Sequence, residues 1–349
     1  MTNLKTPELS IIILNYNVKD LLLKCLDSIF QSKDKLDRWQ VIVVDNASSD
    51  GSVEAVKGKY RVIGIDSRLR PLRGAGGNDR GKGRFWTNQN DKNGAQYDKE
   101  EIKSDRVVQL IENKENLGFS AGNNVGVKFA KAPVVLFLNP DTIIVDHAIQ
   151  KSLEKLLSDP DIGALTCRVE LPDGRLDYSC HRGFPTPWNS FAYFSGLSKI
   201  FPKSSLFSGY TASYLDINKA HEIDSLTGAF LMVRKIAGEQ IRWWNTDYFW
   251  NGEDIEFCYS LKEKSWKIYY YPEVKIIHYK GSSSGLWTTA LTTVPKETKL
   301  ETAIYGVTAM KIFYKKHYYK KYPPLFRDFV LGGIKLLENY RKLRIKTKA

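Results

Sequence analysis

The chain is poor in the residues that build metal clusters and disulfide frameworks: 349 residues include four cysteines, five histidines and three methionines. Cys25, Cys167, Cys180 and Cys258 show no Cys-x-x-Cys spacing. That argues against a zinc cluster or a disulfide scaffold and reads them as small core or loop residues in a reducing compartment. No apolar run reaches the roughly 18–20 residues needed to span a bilayer. Met1–Leu9 is polar and runs straight into a strand, unlike a signal peptide. The expected location is therefore the cytosol or a membrane surface. What is present is ample core material, 42% apolar residues and 12% aromatics, enough for one large domain with an appendage or for two domains.

Acid is also scarce, but only locally. The net charge is +13, and Lys311–Ala349 alone carries twelve Lys/Arg against Asp328 and Glu338. The body is close to neutral and the tail holds the basicity. This pattern argues against a whole-surface nucleic-acid binder and for a localised contact with an anionic surface.

Short, β-branched, continuously apolar runs read as buried strands at Leu9–Leu14, Val41–Val44, Val107–Ile111 and Val134–Leu138. Helical spacing falls between them at Val18–Phe30, after Ser49–Ser52, and at Ala121–Ala130. Strand–helix alternation of this kind predicts an open, mostly parallel α/β sheet whose ligand site lies beyond the carboxyl ends of the strands. Further on, a helix is expected at Ala148–Leu157, a strand at Ile162–Val169 with a turn at Leu171–Gly174, and a strand-like run at Ser225–Val233. Glu253–Lys264 reads as a helix, and Lys267–His278 as two short strands broken at Pro272. Tyr178–Asp224 is aromatic and irregular, an expected wall over the cleft. Residues 66–105, rich in Gly, Asn, Lys and Arg without a period, read as an insertion; Gly74, Gly76 and Gly77 lack the lysine-serine context of a phosphate loop.

Several polar segments aim at one crevice: ILNYN (Ile13–Asn17), VVDNASSDGS (Val43–Ser52), ENLGFSAGNNVG (Glu115–Gly126), LNPDT (Leu138–Thr142), TGAFLMVR (Thr227–Arg234), GEDIEFCYSLKEKSW (Gly252–Trp266) and VKIIHYKGSSS (Val274–Ser284). In this order the motifs resemble the inverting glycosyltransferases of family 2, with the GT-A nucleotide-sugar-binding fold, and within it the rhamnosyltransferase-like branch that builds bacterial surface polysaccharides. The resemblance runs from about Leu9 to Ser284, interrupted by the insertion.

The resemblance implies a donor site for a dTDP- or UDP-sugar around Asn15, Asn17, Asp45, Asn46, Asn116, Gly118 and Asn139. Asp45 at a strand tip would accept from a base N–H or a ribose hydroxyl. The helix after Asn116 would offer free N–H groups to phosphate. Asp141 and His278 would hold Mg²⁺ or Mn²⁺ bridging the diphosphate. Here the chain departs from the family's Asp-x-Asp pattern, because Asn139 replaces the first carboxylate and adds no charge. Asp254 is the expected general base, taking the proton from an acceptor hydroxyl as it attacks the anomeric carbon. Glu253 either orients Asp254 or binds an acceptor hydroxyl. Thr227, Gly228 and Trp250 are expected on the acceptor side, and Ser282–Ser284 near phosphate. The aromatics Trp243, Trp244, Tyr248, Phe249 and Trp250 suit either sugar rings or the core.

The expected division is a catalytic domain over 1–295 and a basic amphipathic helical tail over 296–349. Helices are expected at Thr302–His317 and Pro324–Arg344, with Phe326, Phe329, Val330, Ile334, Leu336 and Leu337 as apolar surface. Such a tail reads as an interfacial element on an anionic membrane, or as a helix packed on the body. The implied partners are the nucleotide-sugar and a lipid-linked glycan at the inner face of the cell membrane, with no nucleic acid. Two rivals stay open at this point. A sugar nucleotidyltransferase would need a basic Gly-rich loop near the first strand, where Asn15–Leu21 offers only Lys19. A nucleotide- or glycan-binding protein with a degenerate site would account for Asn139.

Overall fold

The computed structural model describes residues 7–32, 34, 38–65, 86–87, 106–281 and 296–347. The expectations for the insertion's glycines and for Ser282–Ser284 lie outside the described residues.

The four apolar runs form the parallel heart of one large sheet. Strands β1 (Leu9–Asn15), β2 (Trp39–Asp45), β3 (Arg61–Ile65), β5 (Val107–Glu112) and β6 (Val134–Leu138) lie in the spatial order β3-β5-β2-β1-β6. The two-residue β4 (Trp86–Thr87) caps the β3 edge. Beyond β6 come β10 (Phe230–Arg234), β8 (Ile162–Glu170), β11 (Lys267–His278) and the short antiparallel β7 (Thr142–Ile144). β9 (His221–Glu222) also pairs with β11. These strands read as unbroken apolar runs because helices cover both faces of a parallel sheet. Ile11–Ile13, Ile42–Val44 and Val134–Leu138 are buried throughout.

Register decides where the polar residues end up. Asn15 is level with Asp45, and Asp45 with Glu112. Ile13 is level with Leu138, so Asn139–Asp141 emerge beside the end of β1. Phe230 is level with Leu138 on the antiparallel side, which brings Thr227 and Gly228 to the same rim. His278 closes β11 opposite Thr142, next to Asp141. All these segments meet at the carboxyl edge, where open α/β sheets bind ligands.

Helices α1 (Lys19–Gln31), α2 (Ser52–Lys59), α3 (Gly118–Val127) and α4 (Ala148–Ser158) follow their strands as expected, α3 starting three residues earlier than the apolar spacing suggests. Lys267–His278 departs from expectation: it is one continuous strand. Its pairing with β8 slips between Tyr271 and Lys275. Pro272, which has no N–H to give, is thus absorbed in a bulge instead of ending the strand. The irregular stretch holds α5 (Pro187–Phe194) and α6 (Leu197–Ile200), and α7 (Lys235–Gln240) and α8 (Glu253–Glu263) flank the sheet.

The tail forms α9 (Lys296–Phe313), a π-helical turn over Tyr314–Tyr318, and α10 (Pro324–Thr347). It folds back on the body. Val307, Phe313, Tyr314, Tyr318 and Ile334 pack with Ile255 of α8 in a second small core. A buried carboxylate fixes this contact. Glu256 of α8 accepts hydrogen bonds from Lys316 at 2.5 Å, His317 at 2.7 Å and the Tyr248 hydroxyl at 3.0 Å. Burial alone would raise this acid, but His317 and Lys316 outweigh it and bring Glu256 down to about 2.

Candidate active site

The carboxyl edge opens into a cleft of about 1280 Å³. Its floor is the rim of β1, β6 and β10, and one wall comes from α9. Of the residues singled out from the sequence, Asn46, Asn116, Gly118, Asn139, Asp141, Thr227, Gly228, Trp250, Glu253, Asp254 and His278 all line it. Asn15, Asn17 and Asp45 do not line the cleft but lie at its margin. Asn15 Nδ2 donates to Asp45 at 2.9 Å and to Ser48 at 3.0 Å, and the Ser48 amide donates to the other Asp45 oxygen at 2.9 Å. Asn15 Oδ1 is buried without a hydrogen-bond partner. The Asn17 side chain accepts from the Ser49 amide at the surface.

The start of α3 differs from the expectation of open N–H groups. The Leu117 amide donates to Asn46 Oδ1, the Gly118 amide to Asn116 Oδ1, and the Phe119 amide to the Phe249 carbonyl. These donors are satisfied within the protein, so Asn46 and Asn116 act as a clamp between the loops after β2 and β5. Gly118 has φ +76°, and a Cβ there would meet Phe249 at 2.6 Å. The aromatic run before α8 divides: Trp244 and Tyr248 are core, Phe249 stacks on Tyr305 of α9, and Trp250 faces the cleft.

Asp141 and His278 stand together as expected, with His278 Nε2 3.2 Å from Asp141 Oδ1. A third member comes from just before the irregular stretch: Asp177 Oδ2 lies 3.1 Å from His278 Nδ1, and Lys280 donates to Asp177 Oδ1 at 2.6 Å. Burial disfavours charge on His278, but the Asp141 and Asp177 carboxylates outweigh it and hold the imidazole up to about 9. Burial likewise works against Asp177, yet His278 and Lys280 keep it well below the usual carboxylate range. A carboxylate that fixes the far ring nitrogen of a histidine is the usual support of a metal-binding imidazole. The donor set fits a divalent cation that takes one carboxylate and one imidazole from the protein and its other positions from water and phosphate.

A second acidic pair sits at the start of α8. Asn251 and Gly252 both adopt left-handed backbone, φ +68° and +82°. This turn delivers Glu253 and Asp254 to the cleft on the first turn of the helix. A Cβ on Gly252 would lie 2.8 Å from the Ala309 Cβ of α9. The tail helix therefore presses directly on the turn. Arg182, which lies outside the sequence motifs, donates to Asp254 Oδ2 at 2.7 Å and to the Leu226 carbonyl at 3.1 Å. Its side chain is 15% exposed, as is that of Asp254. Glu253 has no such partner: its Oε2 is buried without a hydrogen bond. Burial, and then the neighbouring Asp254 charge, push Glu253 well above the ordinary glutamate range. Two adjacent carboxyls thus sit in different surroundings: Asp254 is paired with a guanidinium, and Glu253 is buried without a partner.

A large, mostly parallel sheet with flanking helices and its cleft at the carboxyl rim is the architecture of the GT-A fold. In line with that, the chain superposes on the mannosyltransferase PcManGT from Pyrobaculum calidifontis, solved with GDP-Man and Mn²⁺, with a TM-score of 0.54 at 16% identity over 98% of this chain and 73% of that one. It superposes on GalNAc-T7, solved with UDP, GalNAc and Mn²⁺, with a TM-score of 0.52 at 11% identity over 93% and 54%. At these identities the likeness speaks for the fold alone. The family follows from the sequence: the glycosyltransferase like family 2 model matches residues 85–292 and the glycosyl transferase family 2 model matches 10–84. The chain belongs to glycosyltransferase family 2. Curated relatives include the N-acetylglucosaminyl-diphospho-decaprenol L-rhamnosyltransferase of Mycobacterium tuberculosis, 26% identical over 43% of this chain and 48% of that protein. The low-salt glycan biosynthesis hexosyltransferase Agl10 of Haloferax volcanii is 26% identical over 49% and 52%. The chain spans about half the length of these curated relatives.

Proposed function

We propose that this protein is an inverting, metal-dependent glycosyltransferase that moves a sugar from a nucleoside diphosphate to a hydroxyl of a lipid-linked glycan. The observation that carries the reading is one cleft holding two differently tuned acidic centres, Asp141 with His278 and Asp177, and Asp254 with Arg182 and Glu253. Asp254 is the general base. Paired with Arg182, it meets the acceptor hydroxyl as a carboxylate and takes its proton as that oxygen attacks the anomeric carbon. Displacement by a single attack inverts the anomeric centre. Glu253, favoured neutral by burial, keeps a proton and donates it to a sugar hydroxyl instead of competing as base. Asp141 and His278 would hold Mg²⁺ or Mn²⁺, which supplies Lewis-acid stabilisation of the departing diphosphate when bound. Lys280, beside Asp177 at the cleft, adds positive charge on that side.

Asn139, Asn116 and Gly118 flank the donor, with Asn15, Asn17, Asp45 and Asn46 shaping the loops beneath it. Thr227, Gly228 and Trp250 flank the acceptor. The donor is read as a dTDP- or UDP-sugar; L-rhamnose is the sugar in the mycobacterial relative's name, which also carries a lipid diphosphate acceptor. The catalytic domain spans 1–295, with 66–105 inserted, and the basic unit 296–349 lends α9 to the cleft. The protein works at the cytoplasmic face of the cell membrane, on its anionic surface. No helix among the described residues is long and apolar enough to cross a membrane.

The test is transfer of radiolabelled sugar from a panel of nucleotide-sugars to membrane lipid extract. Asp254→Asn is expected to abolish transfer while donor affinity changes less than about threefold, since the proton-abstracting group contributes mainly in the transition state. Retained turnover would remove Asp254 as base. Donor binding by the native chain with no transfer to any acceptor would favour a binding protein instead.

A further inference from the structure

The sequence treats the basic tail as the membrane contact, yet the structure divides that tail between two jobs. Along α10, Val330, Ile334 and Leu337 turn inward onto the small core shared with α8 and α9. Leu325, Phe329, Leu336, Tyr340 and Leu343 turn outward, 87%, 75%, 71%, 59% and 62% exposed. At 100° per residue these five fall within about 60° of one another on the helix circumference. That is a narrow, exposed apolar stripe, and Lys335 and Lys342 lie along one flank with Asp328 beside them.

A second exposed apolar element stands nearby. In α5, α6 and the turn that follows, Trp188, Phe191, Phe194, Ile200, Phe201 and Leu206 are each at least 44% exposed. Isolated surface apolar residues need no explanation, but a contiguous group does. The sequence from 178 to 215 contains no acidic residue, while Lys199 and Lys203 are exposed within it. The two elements meet at the cleft: Tyr193 and Phe194 of α5 and Arg341 of α10 all line it.

We propose that the outward stripe of α10 and the aromatic elbow of α5 and α6 form one docking face for an anionic lipid bilayer, with the mouth of the cleft between them. Amphipathic helices rich in bulky apolar residues and flanking cations seat themselves at the headgroup boundary in this way. A protein partner or a second copy of the chain would leave the acid-free character of the elbow without a purpose, whereas an anionic surface uses it. The inference deepens the membrane reading above by fixing which surface touches lipid, and that surface leaves out the Tyr314–Tyr318 turn. Lys316 and His317 there are committed to Glu256, so that segment holds the tail to the body.

Full-length protein is sedimented with vesicles of phosphatidylglycerol and phosphatidylethanolamine, and with neutral phosphatidylcholine vesicles. Native protein is expected to partition to the anionic vesicles and to be released by high salt. The elbow variant Phe191→Ser/Ile200→Ser and the stripe variant Phe329→Ser/Leu336→Ser are each expected to lose at least tenfold in partitioning. Lys199→Glu/Lys203→Glu should remove the preference for anionic lipid. All of these positions are exposed, and unchanged thermal melts will show that the variants fold. Partitioning that survives in both apolar variants would overturn this docking face while leaving membrane association in place. No partitioning of native protein would overturn both, and leaves the nucleotide-binding test of the glycosyltransferase reading untouched. A native dimer that the apolar variants dissolve would assign the face to self-association and refute the proposal.

Discussion

Glu256 is the point at which the tail is fastened to the catalytic body, and Glu256→Gln tests that fastening. The substitution keeps the shape and still accepts from Tyr248, but it removes the charge that faces Lys316 and His317. Glu256 lies at about 2 in the folded chain against an ordinary 4.5. At 1.36 kcal/mol per unit, that difference corresponds to about 3 kcal/mol of stability at neutral pH. The Lys316 side chain is 44% exposed and its share is reduced by solvent, whereas His317 is 5% exposed and carries most of the effect. For a chain of 349 residues, unfolding entropy near 2.1 cal/mol/K per residue turns about 3 kcal/mol into a fall of roughly 4 °C in melting temperature. Because the folded acid is more acidic than the unfolded one, its stabilisation is present above pH 4.5 and disappears as pH falls through about 2. The native and variant proteins should therefore differ at pH 7 and converge in strong acid. Scanning calorimetry at both extremes decides it. A melting temperature within about 1 °C of native at pH 7 would refute the clasp. The same contact shows why deleting Lys311–Ala349 is a poor probe of membrane binding: it would strip two cations from a buried carboxylate.

Other consequences follow from the same geometry. Gly252→Ala places a Cβ against Ala309 in left-handed backbone, so a loss of about 2–4 kcal/mol is expected in urea titration, with a larger loss of transfer because the Glu253–Asp254 turn moves. Arg182→Met leaves Asp254 without its cation, and should cost about 3 kcal/mol by the same titration while sparing nucleotide binding. Glu253 is raised above its ordinary 4.5 by burial and the Asp254 charge, so its contribution is full below that pH and is lost as pH climbs through its raised folded value; Glu253→Gln should flatten that decline in melts from pH 5 to 9.

The sheet was legible in the sequence because its strands are continuous β-branched runs, and their abrupt polar ends located the rim. Asp141, His278 and Asp254 were readable as members of ordered family motifs. Arg182 and Asp177 were not: they lie within and just before an irregular aromatic stretch with no period, and their meaning lies in a carboxylate and an imidazole that only the folded chain brings near. Lys316 and His317 looked like surface charge in a basic run, since a buried acid 60 residues upstream of Lys316 leaves no local signal. The start of α3 misled in the opposite sense. A glycine-flanked helix start suggests a phosphate cradle, yet Asn46, Asn116 and the Phe249 carbonyl fill it from three separate loops. Pro272 likewise read as a break, where a bulge absorbs it.

On the proposed function, the cleft binds a nucleoside diphosphate through a cation held at Asp141 and His278. Titration calorimetry of UDP, dTDP and GDP into the native chain and into Asp141→Asn, each with Mn²⁺ and with EDTA, tests it most directly. A pyrimidine diphosphate is expected to bind the native chain with Mn²⁺, at least tenfold more weakly with EDTA, and equally weakly in Asp141→Asn under either condition. Binding that ignores both Mn²⁺ and Asp141, or no binding of any of the three, would contradict it.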